Sequence, residues 1–408
     1  MTSRTLLHGG QVFDGTGAAP QPADVVVEDG LVVEVGTGLD GDTGVDVSGA
    51  TVFPGVIDCH VHVTGSGVDL MRRLNQPFSY QYYEAARHLE ATLATGVTTV
   101  RDAGGADLGI QKAVANGLIG GPNLLVAINI IGQTGGHTDG WFPSGHEVPL
   151  LHPHPGRPAA IADGADELRK VVRTLLRAGA DVIKICTTGG VLSPRDDPRH
   201  SQFSLAEIEV VVAEAAATGR AVMAHAQGTN GVKNAVRAGA RSIEHGFYLD
   251  DEAIELMLGK GTWLVPTLVA PRAVLAAASI GAQMPQTVID KAREVLEIHV
   301  ASVTAAAAAG VRIAMGTDSG VGPHGQNLDE LPLMQECGMS AEEVLAASTS
   351  GSAELCGLQD STGRVAPGLA ADLLVVGGDP LDLSSLRERL RQVWQRGKLV
   401  VDHAEADR

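Results

Sequence analysis

The chain has 408 residues and is 44% hydrophobic, enough for a barrel-sized domain plus a smaller one. Its formal net charge is −18 with no block of lysine or arginine, which argues against nucleic acid and anionic membrane surfaces as partners. Aromatic residues make up only 3%, so packing must rest on aliphatic and small side chains.

In chain order, the start lacks the apolar core of a signal peptide, and no later run is long enough to span a bilayer. Residues 1 to about 54 read as short strands with turns. Asp29-Gly30, set between two Val-rich runs in 24–35, is a hairpin signal. The same texture returns at 371–376 and 391–401. Short hairpins cannot bury a core alone. Residues 1–54 and 361–408 are therefore expected to form one small β-sandwich built from both ends of the chain. Cys59, Cys186, Cys337 and Cys356 show neither metal-ligand nor redox spacing, which fits a reducing, cytoplasmic setting.

Residues 55–360 alternate between strands and helices. Strands are predicted at 56–63, 97–101, 123–131, 180–186, 220–225, 241–245, 262–268 and 311–316, with helices between them, for example at 205–218 and 294–309. Glycines such as Gly179 and Gly310 stand where a helix would end before the next strand. Continuous apolar strands alternating with helices indicate a parallel sheet. Eight such units fit a (β/α)8 TIM barrel, with an open doubly wound sheet as the alternative.

Catalytic residues of such a barrel sit at the C-terminal ends of its strands. The first strand ends in His60 and His62, two residues apart and so on one face. The fourth carries Lys184 inside an apolar run, the fifth ends in His225, the sixth in His245, and the eighth leads to Asp318. One such residue is ordinarily a satisfied polar group. Five strands presenting ligand types at one end point to metal. An unpaired ammonium buried there would be costly. Lys184 is thus either neutral or paired with a carboxylate, or else carboxylated by CO2, in which case it would bridge two ions. On the last reading His60, His62, Lys184 and Asp318 hold one ion, and Lys184, His225 and His245 the second. The donor set suits Zn, with Mn or Co possible.

The order His-x-His, Lys, His, His, Asp resembles the amidohydrolase superfamily, and the likeness spans nearly the whole chain. The flanking segments 53–62 and 363–373 resemble that family's first strand and its return into the small sandwich. Segments 131–137, 184–191 and 316–325 are most similar to its binuclear group of Xaa-Pro dipeptidases, arginine carboxypeptidases and ochratoxin-type amidases. The resemblance implies a small-molecule substrate, a homo-oligomer, and cleavage of an amide bond to a C-terminal amino acid by a hydroxide held between two divalent ions. It makes Asp318 the proton shuttle, and His137, Tyr248 and His324 substrate contacts; loop packing is the plain alternative for these three. Arg195 and Arg199 are candidates to meet a substrate carboxylate, or are merely solvated. The insertion 141–158 has no ligand spacing and reads as a lid or an interface. A mononuclear imidazolonepropionase- or deaminase-like hydrolase is the nearest competing function. A silent metal-binding scaffold would lack a ligand, and none of the six is missing.

Overall fold

The computed structural model describes residues 3–403 and is mixed α/β. Met1, Thr2 and the last five residues of the predicted segment 361–408 lie outside the described residues. Two sheets bring the ends of the chain together. One runs Leu31–Gly36, Asp24–Glu28, Thr5–His8, Thr43–Asp46. The other runs Lys398–Asp402, Leu390–Gln395, Leu373–Gly377, Ala50–Pro54, Gln11–Val12, Gln21–Pro22. In the second, Leu373–Gly377 pairs antiparallel with Ala50–Pro54, so a C-terminal strand lies directly beside an N-terminal one. Leu7, Val25, Val52, Val375 and Trp394 share one apolar cluster beneath these sheets.

The middle of the chain forms two all-parallel sheets. One orders Asn123–Val126, Val97–Asp102 and Val56–Val61. The other orders Ile130–Ile131, Val182–Cys186, Ala221–Ala226, Ser242–His245 and Trp263–Val265. Helices between the strands bury one stripe each. In Gly164–Ala178 the buried residues Leu168, Val172 and Leu175 follow the helical period. That helix stops at Gly179, whose φ of 104° only glycine adopts without strain, before the chain enters the next strand. Leu205–Ala216 starts with a capping box between Ser204 and Glu207, a device worth about 1 kcal/mol.

Two strand expectations need correction. Segment 123–131 is broken, because Ile128 takes a φ of 68° and the Asn129 amide turns back to the Ala127 carbonyl at 2.8 Å. Segment 311–316 forms no strand, only one bridge between Leu264 and Ile313. Its backbone is shared between two neighbours: Ala314 N donates to the Leu264 carbonyl at 3.0 Å, while the Met315 carbonyl accepts from Cys59 N at 2.9 Å. Alternating partners satisfy the polar groups without building a ladder on either side. No helix among the described residues is long and apolar enough to cross a membrane.

Candidate metal centre

His60, His62, Lys184, His225, His245 and Asp318 all line one cavity of about 830 Å³. The strand period puts the first two rings side by side, with centroids 5.5 Å apart. His245 lies 5.1 Å from His60 and 4.6 Å from His225. Lys184 Nζ is 3.4 Å from His60 Nε2. One ligand atom each from His60, His62 and Asp318 falls within 4.8 Å of the others, a grouping small enough for one ion.

Hydrogen bonds decide which nitrogen of each ring is free. His60 Nδ1 donates to Glu244 Oε2 at 2.7 Å, His62 Nδ1 to the Gly104 carbonyl at 2.6 Å, and His245 Nδ1 faces Thr267 Oγ1 at 2.7 Å. In each ring Nδ1 is thereby engaged, and Nε2 is the nitrogen left for a ligand. His225 is reversed: its Nε2 donates to the Gly189 carbonyl at 3.1 Å, which frees Nδ1. Outer partners of this kind orient ligating imidazoles and make them more basic toward a metal.

The Nε2 atoms of His62 and His60 lie 3.2 and 3.5 Å from Asp318 Oδ1, a buried oxygen that accepts no hydrogen bond of good geometry. Lone pairs turned toward a carboxylate repel one another unless a cation or a proton stands between them. His62 responds accordingly. Burial works to lower its pKa, but Asp318, with Asp102, holds it above the ordinary value. Burial pushes His60 down to about 4, and Lys184 adds to the effect. His225 and His245 are held well below their usual range, first by burial. Lys184 is 2% exposed, forms no ion pair with a carboxylate among the described residues, and is shifted down by burial. The donor set therefore fits divalent cations.

Backbone strain marks the same place. His245 has φ 75° and Asp318 φ 59°, both left-handed and both at the cavity. Asp58 stabilises the loop bearing Asp318: it accepts from Thr317 Oγ1 at 2.6 Å and from Asn327 Nδ2 at 2.8 Å.

Glu244 and Arg101 escaped the sequence reading. Arg101 Nη2 pairs with Glu244 Oε1 at 3.1 Å in full burial, and Glu244 in turn orients His60. Burial alone would raise the Glu244 carboxyl, but Arg101 and then His60 bring it down to about 2. Since the His60 ring is neutral at pH 7, it serves Glu244 as a hydrogen-bond donor and Arg101 is the charge partner. The available signal was a glutamate inside an apolar strand, directly before His245. Glu244→Gln should lower metal affinity by about 10- to 100-fold and destabilise the fold by about 3 kcal/mol through the stranded guanidinium. Chelator competition and denaturant unfolding would measure the two effects.

The remaining candidates separate. His137 lines the cavity, stacks on His225 at 4.4 Å and contacts Ser193 Oγ at 2.7 Å. Tyr248 and His324 do not line it. The Tyr248 hydroxyl is buried without a partner, and His324 stacks on His88 at 4.1 Å and bonds the Gly65 carbonyl. Arg195 lies over the Trp141 ring at 5.0 Å on the cavity wall. Arg199 is tied to Asp197 at 2.6 Å, is largely exposed and does not line the cavity, which favours its solvated reading over that of a carboxylate receptor.

Parallel strands delivering imidazoles and a lysine to one cavity, with an aspartate from the loop after segment 311–316, are the arrangement expected of a metal-dependent hydrolase. Residues 51–400 match the model of the amidohydrolase family. An ochratoxinase from Aspergillus niger is 33% identical over 97% of this chain and 86% of its own length. The crystal structure of a Xaa-Pro dipeptidase with methionine bound in the active site superposes with TM-score 0.88 at 33% identity, covering 97% of this chain and 99% of that one. A prolidase complexed with N-methylphosphonate-L-proline gives TM-score 0.91 at 36% identity over 98% and 100% of the two chains. The chain belongs to the amidohydrolase family, has its TIM-barrel-type α/β fold, and is a hydrolase acting on amide bonds.

Proposed function

We propose that this protein is a binuclear amidohydrolase that cleaves the amide bond to a C-terminal amino acid, in a dipeptide such as Xaa-Pro or in an N-acyl amino acid. The observation that carries the reading is the convergence of four oriented imidazoles, Lys184 and Asp318 on one cavity. His60, His62, Lys184 and Asp318 would hold one ion, and Lys184, His225 and His245 the other. Zn is the first choice, with Mn or Co as alternatives. Lys184 enters as its carbamate: a buried amine with a lowered pKa and no carboxylate partner is disposed to react with CO2. When bound, such ions polarise the amide carbonyl and acidify a water molecule.

Asp318 accepts the proton of the attacking water and hands it to the departing nitrogen, which leaves readily only as an amine. His137, on the cavity wall beside His225, is placed to touch the substrate carbonyl. The resemblance also assigned substrate contacts to Tyr248 and His324, and their places off the wall favour a supporting role for both. The same reading takes the fold as a closed eight-unit barrel over 55–360. Supporting closure, Asp181 N bonds the Val126 carbonyl at 2.8 Å on one side, and on the other segment 311–316 accepts from Leu264 N at Arg312 (2.8 Å) and from Cys59 N at Met315 (2.9 Å). Residues 1–54 and 361–408 form the accompanying sandwich, and a cytoplasmic homo-oligomer completes the proposal.

The test is a screen of Xaa-Pro, Xaa-Arg and N-acyl-Phe substrates with metal measured on the same sample. About two ions per chain and amide hydrolysis are expected. About one ion per chain would favour the mononuclear imidazolonepropionase- or deaminase-like alternative. Turnover confined to pyrimidine or purine rings would redirect the substrate class.

A further inference from the structure

Away from the imidazoles, the cavity wall holds two guanidiniums that no carboxylate among the described residues pairs with. Four arginines line it: Arg72, Arg73, Arg157 and Arg195. Arg72 is neutralised by Glu84. Arg195 rests against the aromatic faces of Trp141 and Phe142 at 5.0 and 5.3 Å. Among the described residues, neither Arg73 nor Arg157 forms an ion pair. Arg157 is only 1% exposed, and its guanidinium donates to the carbonyls of His152 and Gly105 and to Gln81 Oε1, while Nε–H finds no partner. Arg73 donates only to the Leu150 carbonyl, at 3.5 Å, and its buried Nε–H is also unpartnered.

His152 joins them on the cavity wall: its carbonyl accepts from Arg157 Nη1 at 3.2 Å and Arg73 reaches the Leu150 carbonyl two residues before it, so the three groups share one corner, where burial followed by both guanidiniums lowers the His152 pKa. Asp102 and Asp107 act on Arg157 from a distance without pairing with it. Carbonyl oxygens satisfy N–H groups but leave the charge of a buried guanidinium uncompensated. The corner also adjoins the imidazoles. The Gly104 carbonyl supports His62 and the next carbonyl, of Gly105, supports Arg157. Around it the wall is apolar. Leu74 and Phe78, on the segment carrying Arg73, are 46% and 50% exposed and face the same space as Leu150 and Leu151.

We propose that Arg73, His152 and Arg157 form the carboxylate subsite for the departing amino acid, with Arg73 in direct contact and a bulky apolar side chain packed against Leu74, Phe78 and Leu151. This rests on the amide-hydrolase reading and narrows it. A C-terminal phenylalanine or leucine fits the corner, and a C-terminal arginine, whose side chain would meet two like charges, does not. A guanidinium–carboxylate pair in a partly desolvated site accounts for both the missing ion pairs and the exposed apolar residues beside them.

The test uses the metal-loaded enzyme and two probe pairs. One compares kcat/KM for N-acetyl-L-phenylalanine and its carboxamide. The other compares calorimetric binding of L-phenylalanine and L-phenylalaninol, which needs no turnover. The wild type should favour the carboxylate member of each pair by about 10-fold or more. Arg73→Met should erase that preference, mainly through KM. Its short helix buries no residue, so folding is not at stake. Arg157→Lys, which keeps the charge, should retain the preference, and Arg195→Ala should leave it unchanged. Equal handling of acid and neutral members, or loss of the preference in Arg195→Ala and not in Arg73→Met, would overturn the assignment. If no amide is cleaved and yet phenylalanine binding still depends on Arg73, the subsite stands and the proposed reaction falls.

Discussion

Asp318→Asn is expected to leave the protein folded and to lower kcat by about two to four orders of magnitude, with a much smaller change in KM. The structural half of that expectation follows from the backbone. Asp318 sits at φ 59°, a region that asparagine enters at least as readily as aspartate and that alanine disfavours. Its amide donates to the His60 carbonyl at 2.7 Å, a bond that the substitution leaves untouched. The catalytic half follows from the side chain. An amide oxygen can still lie between His60 and His62, but it is far too weak a base to take a proton from water and pass it to the leaving nitrogen. Circular dichroism and thermal melting check the fold, and steady-state kinetics on an N-acyl-phenylalanine check turnover. Retention of wild-type kcat would remove Asp318 from the proton path and leave it only a place among the ligands.

What the sequence made legible was whatever depends on local period. The pair His60–His62 was readable because residues two apart on a strand share a face, and the rings do stand side by side. Gly179 and Gly310 were readable as helix ends because a left-handed residue must close the helix before the chain turns into a strand. What was not legible depends on contacts between distant segments. Glu244 orients His60 from a strand far along the chain, and spacing cannot reveal which strands face each other across a cavity. Cys59 and Cys356 had no suggestive spacing, yet their sulfurs lie 3.7 Å apart. Arg73 and Arg157 likewise meet only through the fold. Segment 311–316 has a strand's composition, but its backbone is divided between two neighbours. Of the two readings of Arg199, the solvated one is favoured for a local reason: Asp197, two residues away, already holds the guanidinium.

Lys184→Met should produce two effects of opposite sign. Without metal, the variant should be more stable than the wild type by about 1–4 kcal/mol, because an apolar chain of similar length replaces a buried amine that has no carboxylate partner. In a chain this large that amounts to a rise of a few degrees in Tm. With metal supplied, the order should reverse. The wild type gains stability by binding ions that the unfolded chain does not hold. The variant keeps His60, His62 and Asp318 together on one side, and His225 with His245 on the other, with no shared ligand between them. Metal content should fall from about two ions to one or fewer, and turnover to near background. Melting curves taken with and without chelator, beside metal analysis of the same samples, measure all of this at once. A Lys184→Met protein that is less stable than wild type in chelator would mean that the amine is charged and paired in the folded state, and the carbamate would then have no neutral amine from which to form.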